Sequence, residues 1–165
     1  MLVIRPLTPA DETQVLKINV ETRPNVAALD RVELARLSSL SRTHFVAVDG
    51  ELVRGYALNF ARDDAYDGEE FQALRSLIAQ PFVYIDQVAV TGPARAQGIG
   101  RRLYEALEYA ASERRIDRLC CEVNTTPPNP GSLACHARLG FSTLGSMDTR
   151  DGRNVVLLQK LLTVR

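Results

Sequence analysis

The segment Phe82–Val90 constrains the fold most. It is a nearly continuous apolar, β-branched-rich run broken by Asp86 and Gln87, as expected of a central strand buried on both faces. It passes through Thr91-Gly92-Pro93 into Gly98-Ile99-Gly100-Arg101-Arg102-Leu103. From Gly98 to about Arg115 the spacing predicts a helix, with Leu103, Leu107 and Ala110 on one face. A buried strand that turns into an amphipathic helix belongs to a sheet with helices packed on its faces.

The rest of the chain fits that scheme. Leu2–Leu7 reads as a first strand, followed by Thr8 as a helix N-cap with Pro9 at the first helical position. Val15, Leu16 and Ile18 supply one helical stripe, and Leu29–Leu40 recovers helical spacing after Arg23-Pro24-Asn25. His44–Val48 and Leu52–Leu58 read as strands joined at Asp49-Gly50, a strong hairpin signal. An acidic stretch, Asp63–Glu70, leads into a short helix ending near Gln80-Pro81, with Asp67 as its expected cap. Leu119–Val123 is a strand, Pro130–Leu139 a helix, and Phe141–Met147 with Val155–Leu161 a closing hairpin around Asp151-Gly152. The expected class is α/β (α+β): one domain over residues 1–165, with a mixed, mostly antiparallel sheet flanked by helices.

Composition narrows the function classes. Lys plus Arg and Asp plus Glu each number 20, so no global charge draws nucleic acid or an anionic membrane. The N-terminal apolar run is too short for a signal peptide, and no run is long enough to span a bilayer. Cys120, Cys121 and Cys135 do not make a disulfide framework, and with only two histidines no metal site is expected. A cytoplasmic setting is expected.

The turn after Val90 carries the chemistry. Gly98 and Gly100 let backbone approach a bulky anion, and the first amides of the helix point at it. Arg101 and Arg102 stand in the first helical turn, where the macrodipole disfavours cations, unless a phosphate lies between them and the helix end. A Walker loop would need Gly-Lys-Ser/Thr, and a dinucleotide fingerprint would need glycine where Leu103 stands. A glycine-rich turn with solvated arginines accounts for the same residues.

Arg95-Ala96-Gln97-Gly98-Ile99-Gly100 resembles the R/Q-x-x-G-x-G/A signature of the GNAT superfamily of N-acetyltransferases. Asn129–Phe141 resembles the later pattern of that superfamily, in which Asn precedes a short helix ending in Gly-Phe. The likeness is strongest over Phe82–Phe141. It extends more loosely to a bacterial subgroup with an acidic Tyr-Asp loop, here Asp63–Asp67, and a Cys-Glu-Val-Asn strand end, here Cys121–Asn124.

The resemblance implies acetyl-CoA as co-substrate. The diphosphate would rest on Arg95, Ala96, Gln97, Gly98, Ile99, Gly100 and Arg101, with Arg102 close by. The pantetheine arm would pair with Val88, Ala89 and Val90, where the family's sheet splays. Asn129 falls where the family contacts coenzyme A and also fits an N-cap; Asn124 is a further contact candidate. Asp86, a lone carboxylate in an apolar run, is the candidate base, or a structural Asp satisfied by its neighbours. His136 lies seven residues after Asn129, where many members carry a proton-donating Tyr. The expected activity is direct acetyl transfer to a primary amine of a small or amino-acid-like acceptor. A peptide or protein N-acetyltransferase and a non-catalytic coenzyme A sensor are the alternatives. A homodimer is compatible with the sequence.

Overall fold

In a computed structural model the structure describes residues 1–163. Among the described residues seven strands form one sheet in the order β1-β2-β3-β4-β5-β7-β6, and five α-helices accompany them, interleaved in the expected sequence. All strand pairings given by register are antiparallel except β4 with β5.

The chain clusters into two compact units. The first comprises residues 1–60 and 85–110. Here β1 (Leu2–Pro6) pairs with β2 (Phe45–Asp49), and β2 pairs with β3 (Leu52–Ala61) across the Gly50 turn. Helix α1 (Glu12–Thr22) follows a 3₁₀ turn at Pro9–Asp11, entered at Thr8 as expected. The Thr8 amide donates to Asp11 Oδ2 at 2.9 Å, and Arg5 clasps the same carboxylate through two bonds of 2.8 Å. Helix α2 (Arg31–Leu40) is capped by Asp30, which accepts the Glu33 amide at 2.7 Å. Val15, Ile18, Leu34 and Leu37 bury the helical stripes read from sequence. Val46, Tyr56, Leu58, Phe60, Leu103 and Leu107 complete this core. His44 is satisfied on both ring nitrogens, by the Leu37 carbonyl and the Asn59 amide, each at 3.0 Å.

The second unit comprises residues 61–84 and 111–165, of which those up to 163 are described. It holds α3 (Glu69–Leu77), β5 (Arg118–Thr126), α5 (Pro130–Arg138), β6 (Ser142–Asp148) and β7 (Asn154–Leu161). β5 pairs with β7 over most of its length, and β7 with β6. The parallel partners of β5 on β4 (Val83–Val90) are Val83↔Leu119 and Tyr84↔Cys120. Phe71, Leu74, Phe82, Tyr84, Leu119 and Val155 form the core. Cys120 and Cys121 are buried among them, and burial pushes the Cys120 thiol up to about 12. They behave as small apolar residues.

The expected bounds of α3 change: it is entered at Gly68, not Asp67, and it ends at Leu77. Glu70 is buried and pairs with Arg153 at 2.8 Å, while Glu69 accepts the Arg150 amide at 3.1 Å. These bonds tie α3 to the β6–β7 turn.

Candidate functional site

β4 is not buried evenly on both sides. Ile85, Gln87 and Ala89 are buried, whereas Asp86, Val88 and Val90 alternate with them as half-buried positions. The second half of the strand therefore keeps one side partly open, unlike the fully covered strand expected. Gln87 is structural: its Oε1 accepts Tyr56 Oη at 2.8 Å and its Nε2 donates to the Ala27 carbonyl at 3.1 Å. Burial, with the nearby Asp86 charge as a lesser cause, pushes Tyr56 up to about 12. Tyr56 is thus a neutral donor throughout the physiological range.

Beyond Val90 the chain makes a 3₁₀ turn at Gly92–Ala94, tied by Ala94 N to Thr91 O at 3.0 Å and Arg95 N to Gly92 O at 3.2 Å. Ala96 and Gly98 then take φ of 62° and 77°. Helix α4 (Ile99–Glu113) begins immediately, and its first bond runs from Arg102 N to Gly98 O at 3.1 Å. Among the described residues, the amides of residues 96–101 donate to no protein acceptor. Successive amides around left-handed residues form a concavity for an anion, and here the positive end of a 15-residue helix adds to it.

The turn's side chains divide. Arg95 Nε reaches the Val90 carbonyl at 3.4 Å, and Gln97 Nε2 the Pro93 carbonyl at 3.1 Å. Arg101 pairs with Glu105 one turn along at 3.0 Å, so its misfit with the helix dipole is answered within the helix. Arg102 lines a hollow of about 430 Å³ with Arg54, Pro93, Gln97 and Ile99.

The remaining predicted residues lie in the second unit. Asn129 caps α5, its Oδ1 accepting the Ser132 amide at 3.3 Å. The Asn124 side chain, expected as a coenzyme A contact, accepts from Arg153 Nη1 at 3.1 Å. His136 is buried, edge-on to Phe141 with ring centroids 5.2 Å apart. Its Nδ1 lies 2.7 Å from the Ser132 carbonyl. A carbonyl only accepts, so Nδ1 carries the proton, and burial holds the ring's pKa below its ordinary value.

One pair escaped the sequence reading. Tyr84 Oη donates to Glu122 Oε2 at 2.7 Å, linking neighbouring strands through a half-buried carboxylate. The signal was faint: both residues sit in apolar strands, 38 positions apart. Among the described residues no cluster of His, Cys, Asp and Glu could hold a metal ion, and no helix is long and apolar enough to cross a membrane.

A mixed sheet whose parallel-paired strand feeds an amide-lined turn and a helix start belongs to the α/β proteins that offer a helix N-terminus to an anionic group. Residues 13–141 match the acetyltransferase (GNAT) family, and the chain belongs to it. It has an N-acetyltransferase fold. The ribosomal-protein-alanine N-acetyltransferase from Brucella melitensis is 26% identical, with a TM-score of 0.71 over 97% of this chain and 99% of that one. Ard1 from Thermoplasma volcanium superposes with a TM-score of 0.79 at 17% identity, covering 98% of each chain. Naa50 from Arabidopsis thaliana, solved with the bisubstrate analogue CoA-Ac-MVNAL, gives a TM-score of 0.71 at 15% identity over 96% of this chain and 97% of that one. A comparison with curated proteins finds no sequence match.

Proposed function

We propose that the chain moves an acetyl group from acetyl-CoA to a primary amine by direct attack. The observation that carries this reading is the run of unbonded amides at residues 96–101, reached from the half-open side of β4. The amides of residues 96–101 hold the diphosphate and Arg102 adds charge beside it; the Arg95 amide, expected among them, is taken by the Gly92 carbonyl. Backbone groups of Val88, Ala89 and Val90 pair with the pantetheine arm, and an amide there donates to the thioester oxygen as it becomes an oxyanion. The amine nitrogen bonds to the carbonyl carbon, the C–S bond breaks, the thiolate leaves with the electron pair, and the proton shed by the acylated nitrogen passes to the thiolate or to solvent.

The attacking amine must first lose a proton. Asp86, half-buried on the same strand as the Val88–Val90 segment, is the candidate base. His136 is assigned to packing: an Nδ1–H committed to Ser132 and a lowered pKa leave Nε2 without a proton to give. A coenzyme A thiolate, with a thiol pKa near the ~8.5 of free Cys, leaves without full protonation. Similar solved structures include an enzyme named for a ribosomal-protein alanine and one solved with a peptide bisubstrate analogue. A polypeptide amine therefore stands beside a small amine as acceptor. The test is thiol release from acetyl-CoA across amines, amino-acid amides and short peptides. Binding of acetyl-CoA without release for any acceptor would convert the reading to a coenzyme A sensor.

A further inference from the structure

We propose that the hollow beside the start of α4 is a site for a phosphate monoester, held between Arg54 and Arg102. Every residue that lines it belongs to the first compact unit. Asp49, Gln97 and Arg102 at its rim are exposed, so the space is reached from solvent.

β2 and β3 fall out of step at this place. Ala47 pairs with Gly55 and Val48 with Val53, so Arg54 is the extra residue of a β-bulge. A bulge bends its strand and re-aims a side chain. Val53 and Gly55 on either side are buried, whereas Arg54 is half-buried and lines the hollow. Its carbonyl accepts the Thr91 amide at 2.9 Å, where β4 passes into the turn. A Cβ on Gly55 would lie 2.8 Å from the Ala89 carbonyl oxygen and 3.4 Å from Leu103 Cδ1, so glycine is what lets β3 sit this close to β4 and α4. The backbone that carries Arg54 is therefore fixed against the helix that carries Arg102.

Both guanidiniums lack protein partners. Among the described residues neither makes a hydrogen bond or an ion pair, unlike Arg101, which pairs with Glu105. Arg102 also stands in the first turn of α4, where the helix dipole disfavours a cation. Asp49, the one acidic residue of the lining, is paired with the Met1 ammonium at 3.2 Å. Two cations facing one space of about 430 Å³ favour an anion of two charges there. A phosphate monoester is such an anion at neutral pH, its second pKa being about 6, and its terminal oxygens accept from both guanidinium forks. The volume lies in the range of small-ligand sites, and Leu2 and Ile99 offer an apolar wall to the group that carries the phosphate. Two sources carry this chemistry: the ribose phosphate of acetyl-CoA, and a separate phosphate ester or phosphate ion. The first rests on the acyl-transfer reading above, and the site itself does not.

The test compares acetyl-CoA with acetyl-dephospho-CoA, which lacks only the ribose phosphate, in wild type, Arg54→Gln and Arg54→Lys. Unliganded melting curves establish that the variants are folded, and calorimetry gives Kd. If the donor supplies the group, wild type should bind acetyl-CoA about tenfold more tightly than the dephospho form. Arg54→Gln should then bind the two donors equally, with Kd for acetyl-dephospho-CoA unchanged, and Arg54→Lys should keep part of the preference. If the source is separate, wild type binds the two donors alike. Inorganic phosphate and ribose 5-phosphate, against chloride at equal ionic strength, should then raise the melting temperature of wild type saturated with acetyl-dephospho-CoA, and not that of Arg54→Gln. Equal binding of the donors with no phosphate shift that depends on Arg54 overturns the proposal. A preference for acetyl-CoA that Arg54→Gln retains in full overturns it as well. Failure of both donors to bind would instead remove the acyl-donor reading, and the phosphate shift measured without donor then decides the site alone.

Discussion

Gly98→Ala separates the cost of backbone strain from the loss of a ligand contact. Gly98 has φ of 77°, and a Cβ there meets no protein atom within 4 Å. The substitution therefore clashes with nothing inside the protein and carries only the left-handed penalty, about 1–2 kcal/mol. For a chain of this length that lowers Tm by about 2–8 °C. Gly50→Ala is the matched control, since Gly50 also has positive φ, 63°, and open space around it. The two variants should lose similar stability without ligand. Acetyl-CoA at a hundredfold excess over Kd stabilises the wild type by about 2.7 kcal/mol. If the methyl group added at Gly98 tilts the amides of residues 96–101 and weakens binding tenfold, about half of that stabilisation disappears. Gly50→Ala should keep all of it. The assay is thermal unfolding with and without acetyl-CoA, with Kd measured by calorimetry. Equal ligand stabilisation in the two variants would refute the amide cradle.

Asp86→Asn should lower kcat about 10²–10⁴-fold with acetyl-CoA binding intact, and full turnover in that variant would make Asp86 structural. His136→Phe should preserve turnover under saturating acetyl-CoA, and a large loss would restore the proton-donor role. The folded pKa of His136 lies below the unfolded ~6.5, so its stabilising contribution is complete above that pH and declines as pH falls below it. Chemical denaturation from pH 5 to pH 8, roughly the histidine titration range, should show that slope in wild type and not in His136→Phe. Asp11→Asn breaks the paired bonds to Arg5 and should cost about 1–2 kcal/mol, because the partly exposed Arg5 moderates the loss. The Asp11 pKa is lowered chiefly by Arg5, so this stabilisation is full above about 3.9 and disappears as pH falls through the folded value. An acid-unfolding midpoint unchanged by Asp11→Asn would refute it.

The sequence alone determined what depends on near neighbours along the chain. Apolar period set each helix and strand to within a few residues, and Asn129 marks a helix start through its own short side chain. The turn before α4 was legible for the same reason: Gly98 permits its left-handed φ locally, and the helix start leaves its amides without partners whatever surrounds it. Tertiary structure decided the partners of the charged and aromatic side chains. Nothing near Asn124 in sequence foretells that Arg153 occupies its carbonyl oxygen, or that Glu70, 83 residues from Arg153, shares the same guanidinium. Arg101 pairs within its own helix, but Tyr84 meets Glu122 only because β4 and β5 lie side by side in the sheet. Hydrophobic periodicity records which side of an element is buried, but not which distant residue it is buried against. A hydrogen bond requires that second fact, with atoms placed to within a few tenths of an ångström.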